Sequence, residues 1–369
     1  MNTKKIMLAA NDTTFVYNLR KEIIESLIEK EYDVYIVAQE TNFIEEIEYI
    51  DCNLINLQIP RHGTNPIADL NLYKQINNIL KEIRPDIVFS NSIKPNIYFG
   101  MACKKHNIPF IPNITGLGGA LLNPGKVQKI ASNLYKLGIK DADLVFFQNE
   151  SNKNFFFDKN IINKSKDYFI LPGSGINLNE NVYREYPLEK NNVKFIMIAR
   201  IMKDKGIREF LQVAENIKSK YTNVEFNLVG DYDDLIYKEL IENLVNKNII
   251  NYLGFRKDIN DLISESHCLI HPSYHEGLSN VLLEAAAAGR PVIASDIPGC
   301  KETFINQVSG LSIKPKDSND LMEKVELFIN IPYEDKVQMG IENRKYIENK
   351  FDRKFVVRKY LECIEKYAK

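Results

Sequence analysis

The stretch KIMLAANDTTFVYNLRKEIIESLIEKEYDVYIVA, residues 5–38, decides the fold class. Lys5 to Ala10 is a short apolar run with strand character, Thr14 to Lys30 is amphipathic, and Asp33 to Ala38 is a second β-branched run. This order is βαβ grammar. In the middle run Val16, Leu19, Ile23 and Leu27 recur at spacings of three and four, an apolar stripe suited to lie on a sheet. The pattern continues, with further strands expected at Ile87 to Ser90, Pro109 to Asn113, Leu144 to Gln148 and Tyr168 to Leu171. A second series is expected at Lys194 to Ala199, Val224 to Val229, Ile250 to Leu253, Cys268 to Pro272 and Pro291 to Ser295. Between the series, Pro172-Gly173-Ser174-Gly175 and polar residues to Asn192 carry turn chemistry and read as an interdomain linker. The expected architecture is α/β: two Rossmann-like, doubly wound domains, 1–175 and 176–350, with a helix over 351–369 whose apolar side is Phe355, Val356, Tyr360, Cys363 and Ile364. Open parallel sheets bind ligands at the carboxyl ends of their strands, so the site is expected in a cleft between the domains.

Composition narrows the function classes. A chain of 369 residues exceeds one ordinary core, and 44% hydrophobic content is that of a globular protein. Lys plus Arg number 48 against 49 Asp plus Glu, so no global field invites nucleic acid. Locally the balance shifts. No acidic residue occurs between Asp86 and Asp141, a segment that holds Lys94, Lys104, Lys105, Lys126, Lys129, Lys136 and Lys140. With Leu134, Tyr135 and Leu137 interleaved, this block reads as a solvated face or as a contact for anionic lipid headgroups. Cys52, Cys103, Cys268, Cys300 and Cys363 are scattered without a CxxC pair, as expected of reduced thiols in a cytoplasmic protein. No run approaches the roughly 18 consecutive apolar residues of a spanning helix.

Two segments of the second series carry chemistry. The strand ending at Ala199 runs into Arg200-Ile201-Met202-Lys203-Asp204-Lys205-Gly206. There a guanidinium can fork two phosphate oxygens and an ammonium can neutralise another; alone, the segment reads equally as a solvated basic turn. The second is Ser273-Tyr274-His275-Glu276-Gly277-Leu278-Ser279-Asn280, opening a helix from Val281 to Ala288. Free N–H groups at Gly277, Leu278 and Ser279 at a helix N-terminus favour an anion. Glu276 would repel a bare phosphate, so its place is on hydroxyl groups, as a sugar on a diphosphate supplies; Glu284, about two turns on, can accept from ribose hydroxyls. Helix capping for Glu276 and an ordinary exposed position for Glu284 are the plain alternatives.

The run E-G-L-S-N-V-L-L-E from Glu276 to Glu284, with R-I-M-K-D-K-G from Arg200 and A-A-A-A-G-R-P-V-I-A from Ala285, resembles retaining glycosyltransferase family four, with the GT-B fold. Asn91-Ser92-Ile93-Lys94-Pro95-Asn96 and Asn113-Ile114-Thr115-Gly116-Leu117-Gly118-Gly119 resemble its bacterial surface-polysaccharide branch. The resemblance implies transfer of an N-acetylhexosamine or hexose from a UDP-type donor to a polyprenyl-diphosphate-linked glycan, with retention and with no metal or other cofactor. It implies that Arg200 and Lys205 hold the diphosphate, Glu276 the sugar hydroxyls and Glu284 the ribose, with Gly254, Phe255 and Arg256 edging the base. His275, Gly277, Leu278, Ser279 and Asn280 complete the donor site. Glu276, Arg200 and Lys205 are the expected catalytic residues, and Asn11, Thr13, Lys94, Thr115 and Gly116 the acceptor side. The last helix would cross back to the first domain, and the enzyme would work in the cytoplasm, at the inner face of the plasma membrane. Two rival readings are a nucleotide-sugar hydrolase or epimerase on the same scaffold, and a silent nucleotide-sugar-binding protein.

Other signals carry less. His267, His271 and His275 recur every four residues, but on a strand the first two stand about 13 Å apart, too far for one metal. Gly116-Leu117-Gly118-Gly119 lacks the third glycine of a dinucleotide fingerprint and does not open the first βα unit.

Overall fold

The computed structural model describes residues 3–59, 65–122, 125–188 and 192–369. The expected linker, Pro172 to Asn192, includes residues 189–191, which lie outside them. The chain divides into two units, Met1–Gly175 with Arg353–Lys369, and Ile176–Asp352.

The first unit is built on seven strands: β1 (Lys5–Asp12), β2 (Asp33–Gln39), β3 (Asn53–Asn56), β4 (Ile87–Asn91), β5 (Phe110–Ile114), β6 (Val145–Phe147) and β7 (Tyr168–Ile170). Their order is β3-β2-β1-β4-β5-β6-β7, with every pairing parallel. Alternation along β1 sends Ile6, Leu8 and Ala10 into one apolar layer and Met7 and Ala9 into the other, so the sheet is covered on both faces. The helix Arg353–Tyr367 belongs to the first of those layers through Val356, Tyr360, Cys363 and Ile364. Tyr360 lies 4.7 Å from the Phe89 ring and 5.3 Å from Phe146. Phe355, expected on the apolar side, is exposed, because the stripe that meets the sheet starts one residue later. Arg353 anchors the helix start. It forks both Glu22 carboxylate oxygens at 2.7 Å and donates to the Gly175 carbonyl at 3.1 Å, joining the point where the chain leaves this unit to the point where it returns.

The second unit holds β8 (Val193–Ile198), β9 (Val224–Val229), β10 (Asn251–Tyr252), β11 (Cys268–His271), β12 (Val292–Ser295) and β13 (Gly310–Ile313), in the order β10-β9-β8-β11-β12-β13, again all parallel. The strand order reverses between β8 and β11. Strands β3 and β13 were not expected. Each is four residues long, with Asn at both ends of β3 and Gly opening β13, so neither carries a strong strand signal. All five cysteines are free. Among the described residues no helix is long and apolar enough to cross a membrane.

Two local features test this packing. The helices Ile93–His106 and Lys126–Ile139 approach so closely that a Cβ on Gly138 would stand 2.6 Å from Ile97 Cα. Gly138→Ala should therefore lower the melting temperature by the equivalent of about 1–3 kcal/mol; an unchanged melting curve would contradict the contact. In the second unit His267 is 1% exposed and its Nδ1 accepts the Lys194 N–H at 2.9 Å. Burial, aided by the nearby Lys336, Arg290 and Lys194 charges, lowers its pKa to about 4. A ring that stays neutral when folded but protonates near pH 6.5 when unfolded contributes stability that is full above about 6.5. That contribution is lost as pH falls toward 4, and it is worth at most about 3 kcal/mol. Melting followed across this window should show a shallower acid loss for His267→Asn, which keeps an acceptor without a titrating ring. Parallel slopes for the two proteins would refute the assignment.

Candidate active site

In an open parallel sheet the carboxyl ends of the two strands flanking the reversal frame the ligand crevice. In the second unit these strands are β8 and β11. The segments that follow them are Ala199 to Gly206 and Pro272 to Ser279. The structure stitches the two together. Tyr274 N–H donates to the Asp204 carbonyl at 2.8 Å and Ser273 Oγ to the same oxygen at 3.3 Å. Gly206, at φ +72°, lies so near Pro272 that an added Cβ would stand 2.2 Å from its carbonyl oxygen, so only glycine permits both the turn and the approach.

The approach places Lys205 Nζ 2.5 Å from Glu276 Oε1. His271, the last residue of β11, sets Nε2 3.0 Å from the same oxygen and 3.1 Å from Ser279 Oγ. The Glu276 side chain is 14% exposed and that of His271 3%. Burial pushes the Glu276 pKa up, but the Lys205 ammonium and the His271 hydrogen bond outweigh it and hold the carboxyl well below the usual carboxylate range. Below this cluster, Tyr274 Oη donates to Glu209 Oε1 at 2.7 Å, fixing the loop from inside. Leu278 does the same from the other end, packing with Ile176, Leu283 and Ile347.

The other expected donor residues fall around these. Arg200 is solvent-facing, with Nη1 3.1 Å from Asp233, so the structure gives Arg200 and Lys205 different carboxylate partners. Asn280 and Glu284 are half-buried on the helix Asn280–Ala287, Gly277 is half-buried before it, and His275 is exposed. Gly254, Phe255 and Arg256 follow β10: the Gly254 carbonyl accepts the Gly230 N–H at 2.9 Å, Phe255 is exposed, and Arg256 pairs with Asp258. One expectation is corrected. The Ser279 N–H is not free for an anion but donates to the Gly299 carbonyl at 2.8 Å, since a buried amide needs a partner and the segment around Gly299 supplies one.

In the first unit, Asn11 and Thr13 flank the end of β1 and Thr115 and Gly116 follow β5. Thr13 is fully buried; its hydroxyl donates to the Asn42 carbonyl at 2.7 Å and accepts from Thr41 N–H at 2.9 Å. Lys94 pairs with Asp69 at 2.8 Å, and Lys104 with Asp141 at 2.7 Å, so flanking acids neutralise part of the basic block.

Sequence reasoning missed His271 as a member of the site. A signal was available: Leu269 packs with Leu282 and Ala285, and strand alternation turns His271, two residues on, toward the same layer, at the strand end that borders the crevice. Asp233 and Glu209 were also missed, and no spacing in the chain links either to its partner. Among the described residues no three His, Cys, Asp or Glu side chains gather as a metal-binding group.

Two family models match, glycosyl transferase 4-like over residues 5–149 and glycosyl transferases group 1 over residues 179–346. The chain is 28% identical over 372 aligned positions, covering 96% of both chains, to the N,N'-diacetylbacillosaminyl-diphospho-undecaprenol alpha-1,3-N-acetylgalactosaminyltransferase of Campylobacter jejuni. It is 25% identical, covering 90% of both chains, to the capsular polysaccharide biosynthesis glycosyltransferase CapM of Staphylococcus aureus. Among solved structures, Anabaena HepE in complex with UDP and glucose superposes with a TM-score of 0.78 at 16% identity, covering 98% of this chain and 100% of that one. With two parallel-sheet α/β units of this kind and both family models in chain order, the protein is a GT-B glycosyltransferase and belongs to family four, in its bacterial surface-polysaccharide branch.

Proposed function

We propose that this glycosyltransferase moves a sugar, an N-acetylhexosamine or a hexose, from a UDP-type donor to a polyprenyl-diphosphate-linked glycan in surface-polysaccharide synthesis, with retention of configuration and without a divalent metal. The observation that carries the reading is the Lys205–Glu276 pair at the reversal point of the second sheet, a cation suited to a diphosphate beside a carboxylate suited to hydroxyl groups, 2.5 Å apart. The UDP in the HepE complex and the undecaprenol-linked substrate in the name of the Campylobacter relative support the donor and acceptor classes. Arg200 and Lys205 would neutralise charge developing on the β-phosphate as the bond from the sugar's anomeric carbon to the diphosphate oxygen breaks. The acceptor oxygen attacks from the same face, and its proton passes to the departing diphosphate. Glu276 would bind the sugar hydroxyls and Glu284 the ribose, with Gly254, Phe255 and Arg256 beside the base. On the acceptor side, Asn11, Lys94, Thr115 and Gly116, which border the carboxyl ends of the first sheet, would meet the acceptor, while the fully buried Thr13 would act only through its bonds to Thr41 and Asn42.

A ligand that binds only the folded state raises the melting temperature by mass action. UDP should raise that of the wild type, and the double change Arg200→Ala with Lys205→Ala should remove most of the rise. With a panel of UDP-sugars, a polyprenyl-diphosphate glycan and a chelator present, wild-type turnover should yield an α-linked product, and Glu276→Gln should lower kcat at least a hundredfold, the order found when one transition-state electrostatic contact is lost. Release of free sugar without transfer would favour a hydrolase, and binding without turnover a silent protein.

The lipid carrier implies work at a membrane surface. Supporting this, the helix Lys126–Ile139 exposes Val127, Ile130 and Leu137 beside Lys126, Lys129 and Lys136, with no acidic residue along it. Such a face gains from both apolar insertion and anionic headgroups. Sedimentation with phosphatidylglycerol vesicles should fall sharply when those three lysines become Glu, while the UDP-induced rise in melting temperature stays; binding unaffected by the charge reversal would rule the face out.

A further inference from the structure

His271 is buried at the end of β11, and no role in the reading above falls to it. Its geometry is nevertheless specific. Nε2 faces two oxygens, Glu276 Oε1 at 3.0 Å and Ser279 Oγ at 3.1 Å, while the buried Nδ1 meets no partner among the described residues. An ionised carboxylate only accepts, so the proton sits on Nε2 and Nδ1 is bare; the reverse tautomer would set a lone pair against Glu276 and leave a buried N–H unsatisfied. The single Nε2–H is then shared between Glu276 Oε1 and Ser279 Oγ, and the Ser279 hydroxyl proton is not consumed by the ring. Glu276 Oε1 also takes the Lys205 ammonium, whereas among the described residues no hydrogen bond engages Oε2.

We propose that His271 is a positioning residue of the donor-sugar site: with its Nε2–H it ties Glu276 Oε1 to Ser279, so that the carboxylate turns Oε2 toward the donor's hydroxyl groups and the Ser279 hydroxyl is left as a donor beside it. The proposal rests on the reading of Glu276 as the sugar-binding carboxylate. It assigns His271 to the sugar and not to the nucleotide, because among the described residues its hydrogen bonds run to Glu276 and Ser279 and none to Arg200 or to the residues after β10. It also explains why a polar ring is tolerated at the end of a strand whose neighbours Leu269 and Ile270 are fully buried. Its second nitrogen goes unsatisfied in return for fixing two groups of the site.

The test compares two polar replacements of similar size. In His271→Gln the amide nitrogen falls near the place of Nε2 and can still reach Glu276; in His271→Asn the amide falls near Nδ1 and cannot. With the UDP-sugar that the wild type uses best, His271→Gln should keep kcat/KM within about threefold, whereas His271→Asn should lose at least tenfold. The UDP-induced rise in melting temperature should be the same in both and in the wild type. Equal activity of the two variants overturns the proposal, as does loss of the UDP response in His271→Asn, which would mark a merely structural ring. A readout independent of turnover is the nitrogen-15 spectrum of the histidine rings in the free protein. His271 should show a protonated Nε2 and a bare Nδ1, and the opposite tautomer is fatal. Glu276→Gln separates the two levels: full activity in that variant sinks the reading of Glu276, while an inactive Glu276→Gln beside a fully active His271→Asn sinks only the role of His271.

Discussion

A carboxylate with little access to water persists as an anion only beside compensating charge and hydrogen bonds, and Glu276 meets that requirement through Lys205 and His271. Lys205 and Glu276 are 71 residues apart in sequence, so the pair exists because β8 and β11 are neighbours in the sheet. That adjacency in turn requires the crossover through β9 and β10 on one side and the return to β12 and β13 on the other. Gly206 then removes the last obstacle to contact, and the hydrogen bonds from Ser273 and Tyr274 to Asp204 hold the two turns in register. The charge pair is the point on which the order of the whole unit converges.

The buried polar groups around it divide into two kinds. Arg290 shows one: its guanidinium is 1% exposed and donates to the carbonyls of Arg184, Glu185, Ser264 and Ala288, so it serves as a knot of backbone acceptors. Burial lowers its pKa to about 10, which leaves it charged at neutral pH. The Lys205, Glu276, His271 and Ser279 cluster shows the other kind. Its side chains face each other beside the crevice, with one carboxylate oxygen uncommitted among the described residues. The first kind holds a loop in place, and the second presents chemistry.

Much of this was legible in the chain. The βαβ alternation from Lys5 to Ala38 reads directly because strands buried on both faces must be nearly all apolar and the covering helices must be amphipathic. The two segments bearing Arg200, Lys205, Glu276 and Glu284 were visible because glycine turns after apolar strands mark the ends where a ligand meets an α/β sheet. What escaped depends on pairing across the sheet. Short strands such as β3 and β13 carry too few residues for periodicity to show. The bond from Ser279 N–H to Gly299 and the pairing of Arg200 with Asp233 join residues whose approach no local pattern records. His271 was seen only as one of three evenly spaced histidines, although the strand rise that separated it from His267 also aimed it at the site.

The first unit draws its last buried side chains, Val356, Tyr360, Cys363 and Ile364, from the far end of the chain. During synthesis, therefore, its sheet emerges complete through β7 but with an apolar layer open where the final helix belongs, while the 177 residues of Ile176–Asp352 are still being made. The second unit, contiguous in sequence, can close first. Until Tyr360 reaches Phe89 and Phe146, the first unit keeps exposed aromatic surface, and that exposure ends only when the helix Arg353–Tyr367, made after the whole second unit, packs onto the sheet.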